Sequence, residues 1–162
     1  MRKALYALAC SMVIGCGGKV INVCTVDQQV TNATAASINC GNFVRGSANY
    51  TDEAMLAAQR CVLNALTSKQ AFFLVYDAES TTGKAEPTVR AAWIGTAGGV
   101  DGKLGLQAYA GRGGGDMASA DDLVSAQVCD TIDAQQSCKP TVGLPCLTCT
   151  STQIATIVCR GN

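Results

Sequence analysis

Cysteine constrains this chain more than any other residue type. Ten occur in 162 residues, and eight of them follow the N-terminal apolar stretch: Cys24, Cys40, Cys61, Cys129, Cys138, Cys146, Cys149 and Cys159. An even set at this density reads as a disulfide framework of four bridges, formed in an oxidising compartment. Spacing does not choose among the many pairings of eight cysteines. Their distribution adds one condition. Cys24, Cys40 and Cys61 precede the strand-forming middle of the chain and the other five follow it. Both groups are odd, so at least one bridge joins the two halves. The favoured single pairing is Cys40–Cys61, whose loop of about 20 residues restricts the unfolded chain by roughly 3 kcal/mol.

Cys10 and Cys16 lie in the N-terminal stretch. Met1-Arg2-Lys3 is basic, and Ala4 to Ile14 carries no charge. A basic start followed by an apolar run of this length has the form of a secretory signal. The run is shorter than the roughly 20 residues that cross a bilayer. It ends at Val13-Ile14-Gly15-Cys16, which resembles the lipobox of bacterial lipoproteins. The resemblance implies cleavage before Cys16, a diacylglycerol on its thiol and a further acyl chain on the new amine. Residues 1–15 are then signal peptide, and 16–162 are one cysteine-rich domain with a lipidated N-terminal Cys16. Cys10 follows Ala7-Leu8-Ala9 and is the poorer site, because it would leave an apolar run of only a few residues. Two or three acyl chains hold a protein stably at a membrane, whereas a single chain holds it marginally. Gly17 and Gly18 follow Cys16. The acidic inner-membrane retention signal is thus missing, and the resemblance implies anchoring in the outer membrane. Lipidation of Cys16 also leaves the remaining eight cysteines an even set.

Cleavage removes Arg2 and Lys3, and the formally neutral chain becomes slightly acidic. No charge balance here attracts nucleic acid or an anionic lipid surface. Charged residues make up 15 % of the chain, below the usual quarter, so the domain is apolar enough to bury a core rather than remain disordered. The sequence contains no histidine. That removes imidazole metal sites, Ser–His and Cys–His nucleophile pairs and the commonest general base.

Along the chain, 17–50 is polar. Within it, 19–27 ("KVINVCTVD") and 37–44 ("SINCGNFV") are expected as strands, with loop between them. A helix is expected from Thr51, whose side chain can accept from the free amides of the first turn. Asp52 and Glu53 sit at the positive end of its dipole and Lys69 near the negative end. Met55, Ala58, Val62, Ala65 and Leu66 form one apolar face at helical spacing, and Cys61 ties the helix to a neighbouring segment. Next come a strand at 71–77, buried on both faces, and strands at 88–96 and 104–110, giving an antiparallel meander. Residues 118–129 read as either a short helix or a strand. The tail holds a cysteine-laced loop, "CKPTVGLPCLTCT", and a β-branched strand at 153–161.

Four stretches could carry chemistry. Cys146-Leu147-Thr148-Cys149 is a CxxC, usable as a redox dithiol or half a zinc site. It follows Gly143-Leu144-Pro145 in a cysteine-dense tail with no helix behind it, which favours structural disulfides. "GRGGGDMASADD" (111–122) follows a strand like a phosphate cradle. It lacks the ending of a P-loop, and Asp116, Asp121 and Asp122 repel an anion. The same carboxylates could meet calcium, but their spacing matches no EF-hand. Asp77 and Glu79 share a face if the strand continues, as a carboxylate pair would, although a solvated strand end is the plainer reading. Trp93, Tyr76 and Tyr109 are expected as core or cross-strand residues, and an exposed aromatic patch would argue for a ligand platform. Asn32-Ala33-Thr34 and Asn49-Tyr50-Thr51 match the glycosylation sequon, which a bacterial lipobox argues against.

The expected fold is α+β: one main helix packed on an antiparallel sheet of four to six strands, stapled by disulfides. The helix-then-meander order is similar, at the level of fold alone, to cystatin-like folds and to some small outer-membrane assembly lipoproteins. Beyond the lipobox, the Cys-Gly near 40, the helix cysteine and "AFFLVYD" resemble small lipoproteins without an assigned activity. The resemblance implies a lipid-anchored envelope protein without cofactor. It would act as a non-catalytic binding or structural module, with the membrane and an envelope protein or cell-wall component as partners. The competing reading is an envelope thiol-redox or metal-binding protein working through Cys146 and Cys149.

Overall fold

The computed structural model describes residues 25–33, 37–78, 89–98, 103–112, 123–151 and 156–160. Residues 1–24, which include the expected signal segment, Cys16 and Cys24, lie outside them, as do Glu79 and residues 113–122. The fold is α+β and disulfide-rich. Its elements are α1 (Val26–Ala33), β1 (Ile38–Phe43), α2 (Asp52–Thr67), β2 (Phe72–Ala78), β3 (Val89–Thr96), β4 (Gly105–Arg112), β5 (Leu123–Cys129), β6 (Thr131–Ala134), β7 (Leu147–Thr150) and β8 (Thr156–Arg160). The main sheet has six strands in the order β1-β2-β3-β4-β5-β8, and β6 pairs with β7 in a small separate sheet.

The main helix forms as its sequence dictates. Thr51 Oγ1 accepts from the Ala54 amide at 3.2 Å, satisfying one of the first-turn donors. Met55, Ala58, Val62 and Ala65 are buried against the sheet. The helix closes where Lys69 takes a left-handed φ of 53°. The amides of Lys69 and Gln70 then turn back onto the carbonyls of Leu66 and Ala65. β2, β3 and β4 are the antiparallel meander, and the ambiguous segment before Cys129 is a strand, antiparallel to β4.

Four expectations need correction. The strand expected over 19–27 does not run to Asp27: Val26–Ala33 is a helix. Nor is 28–33 loop. Thr25 Oγ1 accepts from the Gln28 amide, so Thr25 caps α1, and Val26 and Val30 fall on one face four residues apart. The sheet is not wholly antiparallel. β1 runs parallel to β2, because the 16-residue α2 carries the chain back over the sheet between them, as parallel neighbours require. Part of the cysteine-laced tail is likewise strand, where β7 pairs with β6.

Register divides the sheet into two faces, since residues directly opposite in neighbouring strands share a side. One face holds the rows Phe72–Gly95–Leu106–Cys129, Leu74–Trp93–Ala108–Gln127 and Tyr76–Ala91–Ala110–Ser125. Here α2 packs on Phe72, Leu74 and Cys40, and the small sheet brings Ile132 and Leu147 into the same core as Leu106 and Cys129. The Gln59 side chain joins α2 to the small sheet's entry, donating to the Cys146 carbonyl at 3.2 Å. On the opposite face, Val26 and Val30 of α1 share a core with Val75, Ala92, Ile94, Tyr109, Val124 and Ala126.

Candidate functional site

Three disulfides fasten the layers. Cys40–Cys61 ties β1 to α2, Cys129–Cys149 ties the end of β5 to β7, and Cys138–Cys146 closes the loop between β6 and β7. The sulfurs of the CxxC are therefore bonded to two different partners and form no dithiol with each other. Cys146 is fully buried. Cys159 stands on β8 in register with Val124. Among the described residues no group of three or more His, Cys, Asp or Glu could hold a metal ion.

Asp77 is not a solvated strand end; Glu79, the other carboxylate of the expected pair, lies outside the described residues. Asp77 is buried at the end of β2, and its Oδ1 accepts from Arg90 at 2.9 Å while its Oδ2 accepts from the Arg45 amide at 2.7 Å. Arg90 is the centre of this cluster and is itself buried. Its Nε and one terminal nitrogen donate to the two oxygens of Asp27 at 3.0 and 2.8 Å. That same nitrogen donates to Asn42 Oδ1, and the other donates to Asp77 and to the Phe43 carbonyl. A guanidinium has five N–H donors, and all five are used. Arg90 therefore has no donor left for an anionic ligand. Burial alone would lower its pKa, but the hydrogen bonds and charges of Asp27 and Asp77 outweigh this and hold it above the ordinary arginine value. The cluster rivets α1, β1, β2 and β3 together. Beside it lies a groove of about 450 Å³, walled by Asp27, Thr31, Asn39 and Asn42 and floored by Phe73 and Val75.

The opposite face holds a hollow of about 200 Å³ on the part of the sheet away from α2. Ala91, Ala108 and Ala110 make its floor, because small side chains there keep the surface low between larger ones. Trp93 and Tyr76 line one side, with Ser125 and Gln127 on the other. Trp93 is half-buried, and its indole N–H donates to the Tyr76 hydroxyl at 3.2 Å. Burial pushes the Tyr76 pKa up to about 12, and the Trp93 hydrogen bond only partly opposes it. The phenol thus keeps its proton at neutral pH and can act as a hydrogen-bond donor, not as a base. Tyr109 lies on the α1 face and bonds Gln107 Oε1 at 2.8 Å. All three aromatics border the hollow, but Tyr109 packs into the core on the α1 face, while Tyr76 and Trp93 are joined by their hydrogen bond. The Asn49 amide is held on the Asn42 carbonyl.

Arg90 and Asp27 were not singled out by sequence reasoning, since nothing local marks two charged residues 63 positions apart as a pair. The hollow can give an apolar ring contact and a few hydrogen bonds. Among the described residues that line it, no nucleophile is paired with a base. No family model, curated protein or solved structure matches the chain.

Proposed function

We propose that this chain is an exported, lipid-anchored protein of the cell envelope, held in the outer membrane through Cys16 and acting as a non-catalytic binding module. The observation that carries this reading is the six cysteines bonded in three disulfides. Such bonds persist in oxidising, extracytoplasmic compartments, and export to one is what the basic and apolar N-terminus with Val13-Ile14-Gly15-Cys16 would provide. Among the described residues no helix is long and apolar enough to cross a membrane, so acyl chains on Cys16 are the proposed attachment. The partner, an envelope protein or cell-wall component, would meet the hollow at Trp93, Tyr76, Ser125 and Gln127. Binding rather than catalysis is favoured because the sequence has no histidine and the buried charged cluster has every arginine donor occupied. The thiol-redox or metal reading through Cys146 and Cys149 finds no support in two half-cystines bonded elsewhere.

The test is the intact mass of the protein purified from its native membrane, alkylated with and without prior reduction. A chain that starts at acylated Cys16, with the later cysteines alkylated only after reduction, is the expected result. An unacylated start overturns the anchor. Alkylation of Cys146 and Cys149 before reduction would reinstate them as a working pair.

A further inference from the structure

The hollow beside Trp93 offers hydrogen-bonding groups that the fold itself leaves unused. Tyr76 is 7 % exposed. Its oxygen accepts from the Trp93 N–H, and its own O–H proton has no acceptor among the described residues. Ser125 Oγ donates to the Ala110 carbonyl at 3.2 Å, so its lone pairs are left to accept. The Gln127 side-chain amide, donor and acceptor in one group, is bonded to no described residue. We propose that this hollow binds one ring of a neutral N-acetylated sugar in a cell-wall glycan. The proposal rests on the reading of the hollow as the binding face and names what it binds.

Register sets the shape. Trp93, Ala108 and Gln127 stand opposite one another on β3, β4 and β5. Tyr76, Ala91, Ala110 and Ser125 form the next row on the same side. Trp93 and Gln127 are therefore two strand spacings apart, about 10 Å, and the residue between them in the row is an alanine. A flat ring fits that gap. At about 200 Å³ the hollow is smaller than the roughly 300–1,000 Å³ of pockets for drug-sized ligands. It therefore admits one ring rather than a length of peptide.

The chemistry of the lining selects the ring. Among the described residues no charged side chain lines the hollow, so a carboxylate or phosphate would lose its hydration without gaining a counter-charge. A neutral ligand is left. Its rim must both donate and accept, since Tyr76 has a proton to give, Ser125 has lone pairs and Gln127 has both. An aromatic or aliphatic ring would leave these groups unpaired. A sugar ring carries hydroxyls on its rim and a face of C–H bonds, whose positive hydrogens suit the negative face of an indole. The acetamide matches the β4–β5 side. Its N–H would donate to Ser125 Oγ, its carbonyl would accept from Gln127 Nε2, and its methyl would rest on Ala108 and Ala110. A ring hydroxyl would accept from Tyr76 on the other side. Burial keeps the Tyr76 proton in place at neutral pH, so this donor persists.

The experiment is a titration of the full protein with chitotriose, three N-acetylglucosamine units, and with cellotriose, which has a hydroxyl in place of each acetamide. Trp93 is the only tryptophan, so its fluorescence reports the hollow. Chitotriose should change that fluorescence saturably and shield it from acrylamide. Cellotriose should bind about five- to tenfold more weakly, and so should chitotriose to Gln127→Ala, as the loss of a hydrogen bond requires. In calorimetry Trp93→Ala should not bind chitotriose, and Gln127→Ala keeps the test open if that variant does not fold. Wild type should also sediment with insoluble cell wall and be released by chitotriose. Equal binding of the two trisaccharides, or undiminished binding of chitotriose by the variants, overturns the proposal. Chitotriose binding without sedimentation removes the cell-wall glycan as the source and overturns it too. If chitotriose does not bind, but wild type captures an envelope protein that Gln127→Ala does not, the sugar is wrong and the hollow remains the binding face. If neither occurs, both readings fall.

Discussion

Arg90 on β3 and Asp27 on α1, 63 residues apart in the chain, meet through two side-by-side hydrogen bonds of 3.0 and 2.8 Å. The same guanidinium reaches Asp77 on β2 and the Phe43 carbonyl and Asn42 side chain on β1. One side chain thus connects the short helix to three neighbouring strands. The geometry is bidentate, which a planar guanidinium can make and an ammonium cannot.

Removing the cation should therefore be costly, and Lys should not replace it. Arg90→Met leaves the Asp77 carboxylate buried without its counter-charge, a change that costs about 3–5 kcal/mol for a buried pair. Arg90→Lys keeps one charge but loses most of the five donors, and should recover only part of that. Asp77 and Asp27 should differ. The Asp77 side chain is 10 % exposed and that of Asp27 is 50 % exposed, so solvent screening reduces the Asp27 contribution to about 1 kcal/mol or less. Urea unfolding of the four proteins should give the order Arg90→Met, Arg90→Lys, Asp77→Asn, Asp27→Asn, from most to least destabilised.

Lys69 points to a substitution in the stabilising direction. Its φ of 53° puts a non-glycine residue in the left-handed region at the end of α2, where glycine carries no Cβ penalty. The two closing hydrogen bonds onto Leu66 and Ala65 come from backbone amides, so they survive the change. Lys69→Gly should raise the unfolding free energy by about 1 kcal/mol, the left-handed cost less the added flexibility of glycine in the unfolded chain. The midpoint of thermal unfolding should rise with it.

Gly95 is the opposite case. It lies opposite Phe72 in the β2–β3 ladder, and a Cβ there would overlap the Phe72 ring. That ring is fully buried beneath α2, so it has nowhere to move. Gly95→Ala should destabilise by about 1–3 kcal/mol through overpacking. In the Phe72→Leu background the same change should cost less, and that non-additivity, measured in a double-mutant cycle, is what identifies the contact.

What the sequence reveals and what it hides follow from the range of the interactions concerned. α2 is legible because its signals are local: a capping Thr51, acidic residues in the first turn and five apolar side chains at helical spacing. β2, β3 and β4 are legible because apolar runs alternate with glycine-containing turns. α1 is missed because, among the described residues, Val26 and Val30 are its buried apolar anchors, and both are β-branched residues that suit strands. Thr25-Val26-Asp27-Gln28 carries the one local signal available, a capping-box spacing. The parallel pairing of β1 depends on how α2 crosses the sheet, and no residue of β1 records that. Asp77 looks solvated in sequence because its two arginine neighbours come from other segments. The hollow at Trp93 depends on small residues of two strands meeting in register, Ala91 on β3 with Ala108 and Ala110 on β4.

The last prediction concerns pH. Tyr76 is neutral when protonated, and burial raises its pKa from 10.0 to about 12. Below pH 10 both folded and unfolded chains keep the proton, so stability does not depend on this group. Between the unfolded and folded values the unfolded chain releases its proton first. Stability should then fall by about 1.4 kcal/mol per pH unit, or about 2–3 kcal/mol in all. Burial raises the Tyr109 pKa as well, so it acts in the same direction. Tyr76→Phe should therefore flatten the alkaline decline without abolishing it. The variant should also lose about 1 kcal/mol at neutral pH, because the Trp93 N–H no longer has its acceptor. Urea unfolding across this range, with tyrosinate absorbance of the native protein in parallel, reads both effects. An alkaline decline of equal slope in wild type and variant would remove Tyr76 as its source.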